Sequence, residues 1–434
     1  MTKRRKEGLS RRELVQRIAG AAALGTLGSM AAVQKQARAA TGDRKFLFFF
    51  AQGGWDATPL DPKFAEDGVS PVQGTDMDPM TSLGSIGNLS WSSGDDRRSM
   101  DRFFARWGNR VALVRGVNVH SAGHESGMKW MMTGTSASST ADWPTILAAN
   151  GTAEYPMPHL VFSGPSYPGS FGAAVVRGGG GTLLSLIDGS FDGTTDVPAP
   201  VVPTPMDSMM DAFVYDQAAK FAAAQPSGGL GRSRADALVG NLDRSFELEG
   251  RRFEAGLDKQ GRTMLDQAMM AVEVMRLGLS RCAIVGIPGG WDTHGGNQNV
   301  GPQLDSFFTD FDALMAHLAT TPGKIAPWLI DEVTVVVASE LGRTPRFNGA
   351  MGRDHWPYAS CMVAAGGIAG NRVVGKTTDA FVAEPVDFQT GQPDSSGDII
   401  GTENFGAALL KLGGLDPEHF RPGVQPLTGI LREA

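Results

Sequence analysis

Four apolar runs in this 434-residue chain each lead directly into residues that could hold a metal or move a proton. Lys45–Ala51 (KFLFFFA) runs into Gln52-Gly53-Gly54-Trp55-Asp56. Val111–Val119 ends in His120-Ser121-Ala122-Gly123-His124-Glu125-Ser126. Arg281–Ile287 (RCAIVGI) is followed by Pro288-Gly289-Gly290-Trp291-Asp292-Thr293-His294-Gly295-Gly296-Asn297, and Val333–Ala338 by Ser339-Glu340-Leu341-Gly342-Arg343-Thr344-Pro345. A fifth segment, Gly352-Arg353-Asp354-His355-Trp356-Pro357-Tyr358, comes shortly after. Asp56, Asp292, His294, Glu340 and His355 make a mixed carboxylate and imidazole set of the kind that holds Zn²⁺ or Mn²⁺, with one or two ions expected. Asp292 and His294, two apart on one loop, can reach the same ion. Arg343 and Arg353 add positive charge suited to an anionic substrate.

Each residue also has a plainer reading. Asp56 after a strand could cap a helix. Glu340 could pair locally with Arg343, and His355 beside Trp356 could be a packed core histidine. Arg353 and Asp354 either face the site or pair with each other. His120 and His124 are open between function and structure, whereas His159, His317 and His419 read as structural. The GGWD string at 53–56 and 289–292 reads as a shared turn geometry.

The elements that must position these residues follow from the same runs. Segments apolar on both alternating faces suit central parallel strands covered by helices on both sides. Cys361–Ala365 and Arg372–Gly375 flank a Gly-rich turn and predict a hairpin at the sheet's edge. Asp207–Ala224, Arg262–Leu279 and Asn404–Leu412 predict helices, and Gly178–Pro205 a long surface excursion. The expected fold is a three-layer α/β/α sandwich with a mostly parallel central sheet. In such sheets ligands bind outside the carboxyl ends of the strands, which is where the acids and histidines fall. The only cysteines, Cys282 and Cys361, sit in apolar runs and predict buried thiols, not a disulfide.

At the N-terminus, Lys3 to Lys6 and Ser10-Arg11-Arg12 precede an uncharged run, Ile18–Val33, and a small-x-small site at Ala37-Arg38-Ala39. That order predicts a cleaved twin-arginine signal over residues 1–39, a partnership with the twin-arginine export machinery, and a single mature domain over 40–434 in the periplasm or beyond. The apolar run is too short for stable membrane insertion. Nine of the 39 basic and two of the 46 acidic residues lie in 1–39, leaving 30 basic against 44 acidic residues and a net −14 in the remainder. Such an acidic domain is a poor partner for nucleic acid. A redox role lacks any Cys cluster, haem motif or dinucleotide fingerprint.

The twin-arginine leader, the GGWD turn, WDTHGGN at 291–297, SELGRTPR at 339–346 and GRDHWPYA at 352–359 resemble an exported bacterial family, domain of unknown function 1501. That family is placed among the alkaline phosphatase/sulfatase-like proteins. The resemblance implies an alkaline phosphatase-like sandwich with metal at the strand ends, where Asp56, Asp292, His294 and His355 match metal ligands. Glu340-Leu341 stands where an Asp-His pair belongs, so one histidine ligand is missing. The superfamily nucleophile has no secure match: Ser121, Ser126 and Thr133 fit by position, and His124 stands in a corresponding place. The implied function is an exported metal-dependent hydrolase of phosphate or sulfate esters, acting on an anionic small-molecule or polymeric ester. In it Ser126 or a water attacks, His124 assists, and Arg343 or Arg353 steadies the developing charge. The alternative is a non-catalytic relative that binds or assembles at the cell surface.

Overall fold

A computed structural model describes residues 44–178, 205–226, 229–248 and 263–432. The leader at 1–39 and most of the Gly178–Pro205 excursion lie outside the described residues. In chain order the elements are β1 (Lys45–Phe50), β2 (Thr81–Ile86), β3 (Leu89–Gly94), α1 (Arg98–Trp107), β4 (Val111–Asn118), α2 (His124–Thr133), α3 (Trp143–Ala149), β5 (His159–Val161) and β6 (Val175–Arg177). They continue with α4 (Pro205–Ala224), α5 (Gly229–Leu248), α6 (Met264–Arg276), β7 (Cys282–Gly286), α7 (Val300–Thr320), β8 (Val333–Ala338), β9 (Gly342–Arg343), β10 (His355–Trp356), β11 (Tyr358–Ala365), β12 (Arg372–Val374), α8 (Thr402–Leu412) and α9 (Pro417–Phe420).

Eight of the described strands form one sheet in the order β12-β4-β11-β8-β1-β7-β5-β6. The pairs β8–β1, β1–β7, β7–β5, β5–β6 and β4–β12 are parallel; β11 alone runs against its neighbours β4 and β8. The four long apolar runs are therefore interior strands pointing the same way, as their two-sided hydrophobicity requires.

Side-chain alternation along these strands builds two separate cores. Leu47, Phe49, Val285, Val335 and Val337 face a layer made by α1, α6 and α7, with Phe103, Phe104, Met275, Phe307, Phe308 and Phe311 among its buried side chains. Phe46, Phe48, Ile284 and Val336 face the opposite layer, where α2, α3 and α8 contribute Met131, Trp143, Leu147, Phe405 and Leu409. Helix, sheet and helix make three layers.

One sequence expectation is corrected. The segments 361–365 and 372–375 do not form a hairpin. β12 does take the sheet's edge, but it pairs in parallel with β4, and β4 separates it from β11. The Gly-rich segment between them crosses the end of β4 instead of turning back tightly, with Asn371 N donating to the Gly108 carbonyl. Cys282 and Cys361 are buried thiols on separate strands, and burial pushes both up to about 12. No helix among the described residues is long and apolar enough to cross a membrane.

Candidate metal centre

Because β1, β4, β7 and β8 run in the same direction, their carboxyl ends open at one edge of the sheet. The turn after β1 and the turn after β7 pack directly on each other. Trp55 and Trp291, from the two GGWD strings, meet edge to face with ring centroids 6.3 Å apart. Gly53 sits at φ +120, and a Cβ there would lie 2.9 Å from the Asp292 backbone nitrogen, so the contact requires glycine. The β9–β10 ladder pairs His355 with Arg343 and delivers His355 to the same edge. His124 enters from the first turn of α2, which lies so close to the turn after β8 that a Cβ on Gly127 would sit 2.6 Å from the Glu340 carbonyl oxygen.

Three imidazoles converge on Asp292. His294 Nε2 lies 3.2 Å and His355 Nε2 3.5 Å from Asp292 Oδ1, while His124 Nε2 lies 3.5 Å from Oδ2. One ligand atom each from His124, Asp292 and His355 falls within 4.8 Å of the others. The three imidazole–Asp292 distances, two to Oδ1 and one to Oδ2, are close to the edge of a tetrahedron built on metal–ligand bonds of 2.0–2.2 Å, roughly 3.3–3.6 Å, while His294 lies outside the compact three-residue group.

The second nitrogen of each ring fixes what the first can do. His124 Nδ1 is 2.8 Å from Glu340 Oε1, His294 Nδ1 is 2.8 Å from Asp354 Oδ1, and His355 Nδ1 is 2.7 Å from the Ala122 carbonyl oxygen. Carboxylates and carbonyls only accept, so all three Nδ1 atoms donate, and each ring without a second proton turns a lone pair inward on Nε2. His294 Nε2 and His355 Nε2 are 2.9 Å apart. Two lone pairs at that distance repel unless a cation lies between them: a proton on one ring or a metal ion. A ring of Nδ1–H donors on oxygen acceptors is also how metal-binding histidines are held.

Asp292 is half exposed, and its environment keeps it anionic. Desolvation alone would raise its carboxyl, but the hydrogen bond and charge of Arg343, with His294 and His124 behind them, hold it below the usual carboxylate range. Glu340 is fully buried and accepts from Gly53 N at 2.6 Å as well as from His124. It therefore orients a histidine and does not reach the centre itself.

Of the metal set expected from sequence, Asp292, His294 and His355 come together, Glu340 stands one residue behind, and Asp56 lies elsewhere. Asp56 is 2 % exposed, sits 3.0 Å from Arg353 Nε, and accepts from Thr58 N. Neither arginine is free for an anion. Arg343 donates to the carbonyls of Gly53, Gly54, Trp291 and Arg353 besides Asp292, and Arg353 to those of Thr344, Pro345 and Asp76 besides its pairing with Asp56. Arg353 and Asp354 do not pair with each other. Ser126 bonds to Ser121 Oγ and the Gly123 carbonyl, on the far side of α2 from His124, since two residues turn about 200° on a helix.

His124, expected as an assisting group, is a ligand-type member of the cluster. It arrives from the first turn of α2, not from the turn after β8. Asp354, open in the sequence between facing the site and pairing with Arg353, turns to His294 Nδ1. His120 turns away to Glu403 Oε2 at 3.1 Å and packs at a tilt against Trp130. His159 is wholly buried, whereas His317 is half-buried on α7.

A cleft of about 1090 Å³ opens beside His124 and Asp292. Phe50, Met128, Met264 and Ile287 give it an apolar floor, and Gln52, Glu125, Gln267 and Asp310 line it with polar groups.

Residues 99–420 match the model of a family described as a protein of unknown function, DUF1501, and the chain belongs to that family. No curated protein matches the chain.

Proposed function

We propose that this DUF1501 protein is an exported, metal-dependent hydrolase of phosphate or sulfate esters, with an alkaline phosphatase-like fold and one divalent ion, Zn²⁺ or Mn²⁺, held by His124, His294, His355 and Asp292. The observation that carries the reading is the 2.9 Å approach of two Nε2 lone pairs whose Nδ1 partners are both acceptors. A bound ion there would supply Lewis acidity toward an ester oxygen and acidify water. The chain's own residues do the rest. Glu340, Asp354 and the Ala122 carbonyl lock the three rings. Arg343 keeps Asp292 ionised and aimed. The adjoining cleft holds the remainder of the substrate against an apolar floor.

The fold assignment is supported by a site at the carboxyl ends of interior parallel strands, with a single antiparallel strand in the sheet. The export reading rests on the twin arginines at 11–12 and the small-residue site at 37–39. One observation favours the alternative, a non-catalytic binding or assembly protein: both nearby arginines are spent on backbone carbonyls, and Ser126 does not face the cluster. Under the hydrolase reading, water is therefore the nucleophile, and a bound ion would be needed to offset the charge of the reacting group.

Elemental analysis of the exported protein, with His355→Ala and Asp292→Ala beside it, tests the proposal. One equivalent of metal lost in both variants, with turnover on an ester panel lost alongside, supports it. A folded wild type that stays metal-free after reconstitution overturns it, and full metal without turnover leaves the binding protein.

A further inference from the structure

We infer that the cleft beside the histidine cluster selects a substrate whose non-reacting part is cationic and partly apolar, an alkyl or aromatic group bearing an ammonium, with Glu125 and Asp310 as the residues that set this preference. The inference rests on the hydrolase reading for the reacting end; the cleft itself is built by the fold.

Three observations carry it. First, the ionisable residues lining the cleft are Glu125, Asp292, Asp310 and His124, and no Lys or Arg stands among its described lining. An anionic chain placed there would meet like charge at each of the three described carboxylates, in a cleft whose low-dielectric walls concentrate the field. Second, neither Glu125 nor Asp310 has a hydrogen bond or ion pair among the described residues, so no described side chain competes with a ligand for either carboxylate. Asp310 is partly buried as well, and desolvation followed by the charge of Asp266 pushes its carboxyl upward. A cation would relieve that strain; an anion would add to it. Third, the floor formed by Phe50, Met128, Met264 and Ile287 offers apolar surface and two methionine thioethers, which suit a hydrocarbon carrying a soft, weakly hydrated ammonium.

Together with a metal-facing end that takes the anionic ester, the cleft fits a zwitterionic substrate. The two ends are then read by different groups: Asp292 and the histidines through the ion, Glu125 and Asp310 through charge.

Binding of benzyltrimethylammonium and of benzyl phosphate to the metal-free mature protein, followed by tryptophan fluorescence or calorimetry, tests the inference without any turnover. The ammonium should bind at least about tenfold more tightly than the phosphate, and the Glu125→Gln/Asp310→Asn double variant should lose about tenfold of its ammonium affinity. Metal stoichiometry of that variant should equal the wild type's. Equal binding of the two probes, preference for the phosphate, or an unchanged double variant would overturn the inference whatever the metal result. A wild type that prefers the ammonium but takes up no metal on reconstitution would instead sink the hydrolase reading and leave the cleft's selectivity standing.

Discussion

Replacing Glu340 by Gln separates the charge behind the metal centre from its geometry. Glu340 Oε1 accepts from Gly53 N at 2.6 Å and from His124 Nδ1 at 2.8 Å, and Ser339 Oγ lies 3.1 Å from Oε2. A glutamine can keep its oxygen toward the first two donors and turn its NH₂ toward Ser339 Oγ. That hydroxyl can accept, because its proton has the Ala51 carbonyl at 2.6 Å. The variant should therefore fold with every hydrogen bond replaced and lose only a unit of negative charge. From the Nδ1 contact and the width of an imidazole, that charge sits about 7 Å from an ion on Nε2. There it is worth about 1 kcal/mol toward a divalent ion at the dielectric of water, and about 5 kcal/mol at an effective value of 20. Removing it should weaken metal binding at least about tenfold, in line with the usual cost of losing a carboxylate behind a metal-bound histidine. Competition against a chelator of known affinity measures the change, with the thermal midpoint as a check on folding. A folded variant whose metal affinity stays within about twofold of wild type would refute the argument that Glu340 acts through His124.

Arg353→Met should leave Asp56 as an uncompensated buried carboxylate and cost about 3–5 kcal/mol in denaturant unfolding, with metal content per folded molecule unchanged. Full stability with lost turnover would show instead that this arginine serves the substrate. Ser126→Ala should keep its metal and change stability by less than about 1 kcal/mol; full metal with abolished turnover would make Ser126 the nucleophile after all. Burial lowers His159 to about 3, so the folded protein holds it neutral, and the stability it contributes is present above its unfolded value and lost as pH falls from about 6.5 towards 3. That gap corresponds to about 5 kcal/mol. Burial raises Asp142 to about 6, which acts in the opposite sense between about pH 6 and 4. The comparison that isolates His159 is therefore His159→Asn against wild type. The variant should lose several kcal/mol less between pH 7 and pH 4, and parallel stability curves would sink this account.

The interior strands were legible because burial on both faces writes a continuous apolar run. VTVVVA at 333–338 has no other comfortable home. β11 was only half legible: its first residues, Tyr358-Ala359-Ser360, do not look like a buried strand, and its antiparallel entry depends on the β9–β10 turn that precedes it. Asp292, His294 and His355 could be read as ligands since each follows a strand end or a short ladder on a turn. The partner of each ring could not. Glu340 is 216 positions from His124 and Asp354 is 60 from His294, and nothing in local spacing encodes such pairings. They are consequences of sheet order, which brings β8 and β4 to flank β11.

The two GGWD turns show why identical strings end in different chemistry. Each aspartate is met by one buried arginine, Asp56 by Arg353 and Asp292 by Arg343. At the first turn the pair is sealed. Both side chains are fully buried, Asn297 Nδ2 bridges Asp56 to Asp78, and Arg97 closes the far side of Asp78 at 2.7 Å. That network sets three carboxylates, Asp56, Asp78 and Asp96, against two guanidiniums, since Arg97 also pairs with Asp96 at 2.9 Å, and burial followed by the charge of Asp56 pushes the Asp78 carboxyl upward. At the second turn the arginine is equally buried, but Asp292 stays half exposed and faces three imidazoles in place of a second acid. Donor atoms that an ion could reach gather at this second turn. Asp56 is sealed away from any ion whereas the half-exposed Asp292 is open to one, so the same turn serves as a structural clamp in one place and as the proposed ligand platform in the other.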